Sequence, residues 1–161
     1  MSRYNLRFHQ TPSPSGGGPG WGFQKRRLYP FEVYISKQDQ MIKNTNTILY
    51  CGRWEETVRF YRDRLNLPVC FSTDWFVEFS LNAVSRISIA DEKRASIKTA
   101  HGKGITLSWE IDRIENAWAD LKKNGMEPTA IRNHPWGARY FFLVDPEGHR
   151  IEFWQSSAKI P

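Results

Sequence analysis

TLSWEIDRIENAWADLKKNGMEP, residues 106–128, lies without a gap over NTILYCGRWEETVRFYRDRLNLP, residues 46–68, at a constant offset of 60. Arg53 then meets Arg113, Glu55 meets Glu115, Val58 meets Trp118 and Pro68 meets Pro128. Such a match marks an internal repeat, and each copy opens as a short strand and continues as a helix. In the second copy Ile114, Ala117, Trp118 and Leu121 recur at helical spacing, and Gly125 supplies the C-terminal stop. Trp54, Val58, Tyr61 and Leu65 form the equivalent stripe in the first. Apolar stripes of this kind are the buried faces of amphipathic helices, so all eight residues read as core.

Three strand-like runs follow each helix. They are VCFST, WFVEFSL and SRISIA in the first half, and PTAIRN, ARYFFLV and HRIEFW in the second. The final runs superpose at an offset of 64, with Arg86 on Arg150, Ser88 on Glu152 and Ala90 on Trp154. The repeated unit is therefore β-α-β-β-β, in a domain of residues 44–157 with module one at 44–95, module two at 104–157 and a tail at 158–161. Strand alternation sends Leu107, Trp109 and Ile111 towards the helix layer, and Thr106, Ser108 and Glu110 the other way. By the same rule Ile151 and Phe153 meet a helix, while Arg150, Glu152 and Trp154 share the opposite face with Asn46, Ile48 and Tyr50.

Residues 1–43 are different in kind. HQTPSPSGGGPGWG, residues 9–22, is dense in Pro, Gly and Ser and has no apolar face to bury. FEVYI at 31–35 offers an edge strand, but little regular structure is expected in this basic appendage. Met41 directly before the first regular segment suggests an alternative start or non-native residues upstream. The net charge of +6 is concentrated here, since residues 1–43 hold seven Lys and Arg against Glu32 and Asp39. A near-neutral body argues against a domain built on nucleic-acid phosphates. No run approaches the roughly 20 apolar residues of a membrane span, and no apolar segment follows Met1 as in a secretory signal. A cytoplasmic place follows as the expectation, with Cys51 and Cys70, both in apolar runs, as buried thiols. GGGPG at 16–20 lacks the Lys-Ser or Lys-Thr of a phosphate loop and any preceding strand.

Paired β-α-β-β-β units with an FYRDRLNLP helix end, a WG-x-R approach and a DPEGHRIEFW hairpin resemble the vicinal oxygen chelate superfamily. That superfamily includes glyoxalases, bleomycin-resistance proteins, fosfomycin-resistance enzymes and extradiol dioxygenases. The resemblance implies an α+β fold in which two tandem modules form a half-open curved sheet, or cup, with the helices on its outer face. It also implies a homodimer, for which exposed sheet edges give an independent physical reason.

Metal-dependent members of that superfamily draw ligands from positions that fall here on Asn46, Ser88, Thr106 and Glu152. Only Glu152 is a strong ligand, whereas divalent transition metals are held by about three His, Cys or carboxylate groups. No metal or other cofactor is expected, although Glu110 beside Glu152 leaves a two-carboxylate site open. The four histidines, His9, His101, His134 and His149, read as loop or surface residues, with a mobile His101 or His134 folding into the cup as the lesser alternative. The resemblance is nearest to the metal-free bleomycin-resistance branch, which sequesters an aromatic or cationic small molecule. Tyr50, Trp154, Trp136, Glu110, Glu152, Arg150 and Arg139 are the candidate binding residues. The alternatives are a glyoxalase-like or dioxygenase-like metal enzyme using Glu152, a metal-free isomerase or epimerase with Glu152 or Glu110 as base, and an interaction scaffold.

Overall fold

The structure, a computed structural model, describes residues 24–28, 31–35 and 41–156. The chain divides into two units, Met1–Met41 and Ile42–Pro161. Within the first, β1 (Gln24–Leu28) and β2 (Phe31–Ile35) pair antiparallel, with Gln24 opposite Ile35 and Leu28 opposite Phe31. FEVYI is thus a strand, but its partner is QKRRL and not the edge of a larger sheet. FEVYI was legible as a strand in the sequence, whereas QKRRL carries no apolar alternation to announce its partner.

The second unit is α+β and consists of the two expected modules. Module one runs β3 (Thr45–Cys51), α1 (Trp54–Arg59), β4 (Val69–Ser72), β5 (Phe76–Ser80) and β6 (Ser85–Asp91), in sheet order β3-β6-β5-β4. Module two runs β7 (Thr106–Glu110), α2 (Ile114–Lys123), β8 (Arg132–Asn133), β9 (Ala138–Val144) and β10 (Arg150–Ser156), in sheet order β7-β10-β9-β8. PTAIRN yields only two paired residues, since Pro128 lacks an N–H and the Thr129 N–H goes to the Phe142 carbonyl outside the ladder. The registers preserve both sequence offsets. Asn46 lies opposite Arg86 as Thr106 lies opposite Arg150, and Ser80 opposite Arg86 as Val144 lies opposite Arg150.

One core lies under both sheets, containing Leu49, Cys51, Val77, Phe79, Ile87 and Ile89 from module one and Leu107, Phe141, Leu143, Ile151 and Phe153 from module two. The helices close it with Val58, Phe60, Tyr61, Ile114 and Leu121. The first helix is not uniform: α1 passes into a π-helical turn, Phe60–Arg64, where the Leu65 N–H reaches the Phe60 carbonyl. The wider turn buries the adjacent Phe60 and Tyr61 together, their rings edge to face at 5.2 Å. Cys51 is buried, whereas Cys70 is exposed, contrary to the expectation for the pair. The reason is position, because β4 is a sheet edge along which all four residues are exposed.

The DPEGH turn ties the modules together. The Tyr61 hydroxyl donates to Asp145 Oδ2 at 3.0 Å, and His149 Nδ1 meets the same oxygen at 2.9 Å. Asp145 Oδ1 accepts the backbone N–H groups of Glu147 and His149 at 3.0 and 2.8 Å. His149 is therefore a buried residue and not the surface histidine expected. Burial and the Asp145 carboxylate push the Tyr61 phenol well above its ordinary range. Glu147 Oε2 accepts the Arg53 N–H at 2.8 Å, and Oε1 lies 3.2 Å from His101 Nδ1. Burial alone would raise the Glu147 carboxyl, but the Arg53 N–H, the Thr99 hydroxyl, the Gly52 N–H and His101 together hold it below its usual range. The same burial, with Glu147 and Asp145 nearby, pushes the Cys51 thiol far up.

Candidate functional site

The faces turned away from the helices follow from strand alternation, and their contents differ between modules. In module one Ser88 is fully buried and its hydroxyl donates to Asn46 Oδ1 at 3.0 Å. The Asn46 amide in turn donates to Glu78 Oε2 at 2.9 Å, and Arg86 lies 3.8 Å from Glu78 Oε1. Glu78 was not among the candidates, although Val77 and Phe79 as core residues put it on this face by parity. Tyr50 is half-buried opposite Ala90 in the ladder.

In module two Ser108, not Glu110, stands opposite Glu152, because the parallel register pairs Glu110 with Trp154. The Ser108 hydroxyl donates to Glu152 Oε2 at 2.6 Å. Glu152 Oε1 lies 3.1 Å from His134 Nε2. His134 reads first as a loop histidine in the sequence, and the structure takes the lesser alternative by folding it onto the candidate carboxylate. Its ring is stacked with Tyr140 at 3.8 Å and 18°, and with Trp136 at 4.8 Å and 16°. Trp136 meets Trp154 edge to face at 5.5 Å. The HPWG turn makes the approach, with the His134 N–H on the Ala138 carbonyl at 2.7 Å and Gly137 at φ 87°. That positive φ suits glycine and brings Trp136 back over the sheet.

One further candidate needs correction, and the other charged candidates keep the face expected for them. Arg139 belongs with Phe141 and Leu143 on the helix face, where it pairs with Glu115 of α2. Arg150 does not pair with Glu152. Its Nε donates to Thr106 Oγ1 at 2.9 Å, and its guanidinium lies 4.8 Å from the Phe142 ring centre. Glu110 is exposed at the end of β7.

The donor set does not fit the metal that such folds often carry. Asn46 and Ser88 are spent on each other and on Glu78, and Thr106 is held beside a guanidinium that repels a divalent ion. Both Glu152 oxygens already have partners. Among the described residues, no three His, Cys, Asp or Glu side chains stand together as a metal-holding group. What the module-two face does offer is a stack of flat rings ending on a carboxylate, a surface suited to π-stacking and to a cation.

Two equivalent β-α-β-β-β modules, each with a four-stranded sheet, define the class of protein. Residues 43–153 match the family model described as the Glyoxalase/Bleomycin resistance protein/Dioxygenase superfamily, and the chain belongs to that superfamily. A glyoxalase/bleomycin resistance protein/dioxygenase from Nocardioides is similar at 20% identity and a TM-score of 0.59, over 73% of this chain and 86% of that one. Lactoylglutathione lyase from Agrobacterium tumefaciens is similar at 16% identity and 0.59, over 70% and 92%. TnmS3, an antibiotic binding protein from Streptomyces sp. CB03234, is similar at 18% identity and 0.59, over 71% and 95%. At these identities the likenesses establish the fold, which hosts both enzymes and binding proteins. No curated protein matches the sequence. No helix among the described residues is long and apolar enough to cross a membrane.

Proposed function

We propose that this chain binds a small aromatic or cationic organic molecule on the open face of module two, without a metal. The observation that carries the reading is the ring stack of Trp136, His134 and Tyr140, edged by Trp154, converging on Glu152. Flat rings give contact area at low entropic cost, and one carboxylate among them selects positive charge. Sequestration of a toxic compound in the cytoplasm by a homodimer is the biological form this reading takes, with neither nucleic acid nor membrane as partner.

The test is calorimetric titration with aromatic cations, followed in parallel by tryptophan fluorescence. Binding that weakens at least tenfold in Trp154→Ala and Glu152→Gln supports the reading. Elemental analysis and titration with nickel, zinc and iron(II) test the metal clause. One tight equivalent, lost in Glu152→Ala, would sink it. The Glu152–His134 contact favours a second reading, a metal-free isomerase in which the carboxylate orients the imidazole as a general base. Exchange of a ligand C–H for solvent deuterium, abolished in Glu152→Gln, would put that reading first.

A further inference from the structure

His134 does to its surroundings what a bound ligand would do. Two rings nearly parallel to the imidazole, at 3.8 and 4.8 Å, cannot share one of its faces without colliding, so Tyr140 and Trp136 lie on opposite sides of it. The gap between those walls is one flat ring thick, and at its edge the imidazole nitrogen meets Glu152 Oε1 at 3.1 Å. The second oxygen of Glu152 is fixed by the Ser108 hydroxyl, so the carboxylate is held in place whether or not the slot is filled. One wall of the slot and its carboxylate come from the sheet, Tyr140 on β9 and Glu152 on β10, whereas the other wall, Trp136, and the imidazole between the walls come from the HPWG turn. The His134 side chain is 23% exposed, so one edge of the slot is open to solvent, and the residue lies outside any strand.

We propose that His134 is an internal plug, and that the ligand of this site is a flat nitrogen cation with N–H donors, of the imidazolium, amidinium or guanidinium class, which replaces it. This rests on the cup of module two being a binding site, and it adds both the shape of the ligand and the mode of entry. The ring must be thin enough to slide between Tyr140 and Trp136, and an N–H must point at Glu152. A quaternary ammonium satisfies the charge but neither of the other two conditions. The plug lowers apparent affinity by the fraction of molecules in which the slot is open, and in the empty protein it keeps the carboxylate and both ring faces from being left bare.

The test compares benzamidinium with benzyltrimethylammonium on the full chain and on His134→Gly, by calorimetry. The plug predicts that benzamidinium binds His134→Gly at least tenfold more tightly than the unaltered chain, that benzyltrimethylammonium does not share the gain, and that imidazole itself binds the variant. Benzamidinium binding that is unchanged or weaker in His134→Gly overturns the plug while leaving module two a binding site. Absence of binding by every probe to both proteins overturns the binding site as well. A second measurement uses the unaltered chain. The His134 ring protons, shifted upfield by the stacked rings, move to solvent-exposed positions as benzamidinium is added; ring protons that stay shifted at saturation overturn the proposal.

Discussion

Tyr61→Phe removes one oxygen atom from the junction of the two modules and leaves the ring in place. The side chain is fully buried, and its hydroxyl donates to Asp145 Oδ2 at 3.0 Å. A hydrogen bond to a charged partner contributes about 1.5–3 kcal/mol, more than a neutral one, because the full charge on the acceptor strengthens the attraction. Asp145 keeps His149 Nδ1 and two backbone N–H groups in the variant, so the carboxylate is not stranded. The expected loss is therefore near the middle of that range, about 2 kcal/mol. With a urea slope of about 2 kcal/mol per molar for a domain of this size, the midpoint falls by about 1 M with the slope unchanged. A double cycle with Asp145→Asn should return a coupling of about 1 kcal/mol or more, since the two groups touch. A midpoint shift under about 0.2 M, or additive single effects, would refute the argument that this contact ties module one to module two.

Three other predictions rest on separate observations. Gly102→Ala puts a Cβ 2.1 Å from the Gly148 carbonyl oxygen at φ 71°, whereas Gly104→Ala at φ 78° meets nothing within 4 Å. Urea unfolding should show a loss of about 3 kcal/mol or more for the first and about 1–2 for the second; equal losses would mean that the close approach to Gly148 is unimportant. Glu147 is held below its ordinary value of 4.5, so its contribution to stability is present above that value and lost as pH falls through it towards the lower folded value. The stability gap between the wild type and Glu147→Gln should accordingly narrow on acidification through that window, and a gap that widens would contradict the sign. In the native protein a thiol reagent should modify Cys70 rapidly and Cys51 only after unfolding, because Cys51 is fully buried and its thiol pKa is raised.

The repeat made the element order legible, because a match at two fixed offsets says that both modules carry the same strands and helix. The curved sheet was what the family resemblance implied, and strand order is visible only in the structure. Alternation also placed Ser108, Glu152 and Trp154 on one face correctly. Where the site was misread, the cause was local. Arg139 was assigned by its place in a WG-x-R pattern, although its parity with Phe141 and Leu143 already pointed it at the helix layer. Glu78 carried the same parity signal in FVEFS and was passed over. His134 carried no such signal. Its position depends on a four-residue turn that closes on Gly137, and neither strand nor helix period reaches into a turn. Tyr61 and Asp145 were each visible as motif residues, but nothing in a linear pattern says that the two motifs touch.

The modules share a frame and have parted company inside it. At equivalent places on the two sheets Ser88 corresponds to Glu152, Ala90 to Trp154 and Glu78 to Phe142. In module one the polar groups at these places consume one another: Ser88 is satisfied by Asn46, Asn46 by Glu78, and Glu78 by Arg86. That chain of contacts has little left to give a ligand. In module two Phe142 has no charge to offer, so Arg150 turns to the face of its ring and to Thr106, and Glu152 is left to Ser108 and His134. Of those two partners, the serine lies on a strand, while the histidine follows the short strand β8 at the start of a turn and is the one proposed to exchange. On the reading proposed above, a carboxylate partnered among the described residues by a strand serine and a flat ring between two others is specific in what it accepts in place of that ring, and recognition then belongs to the second copy of the repeat rather than to both.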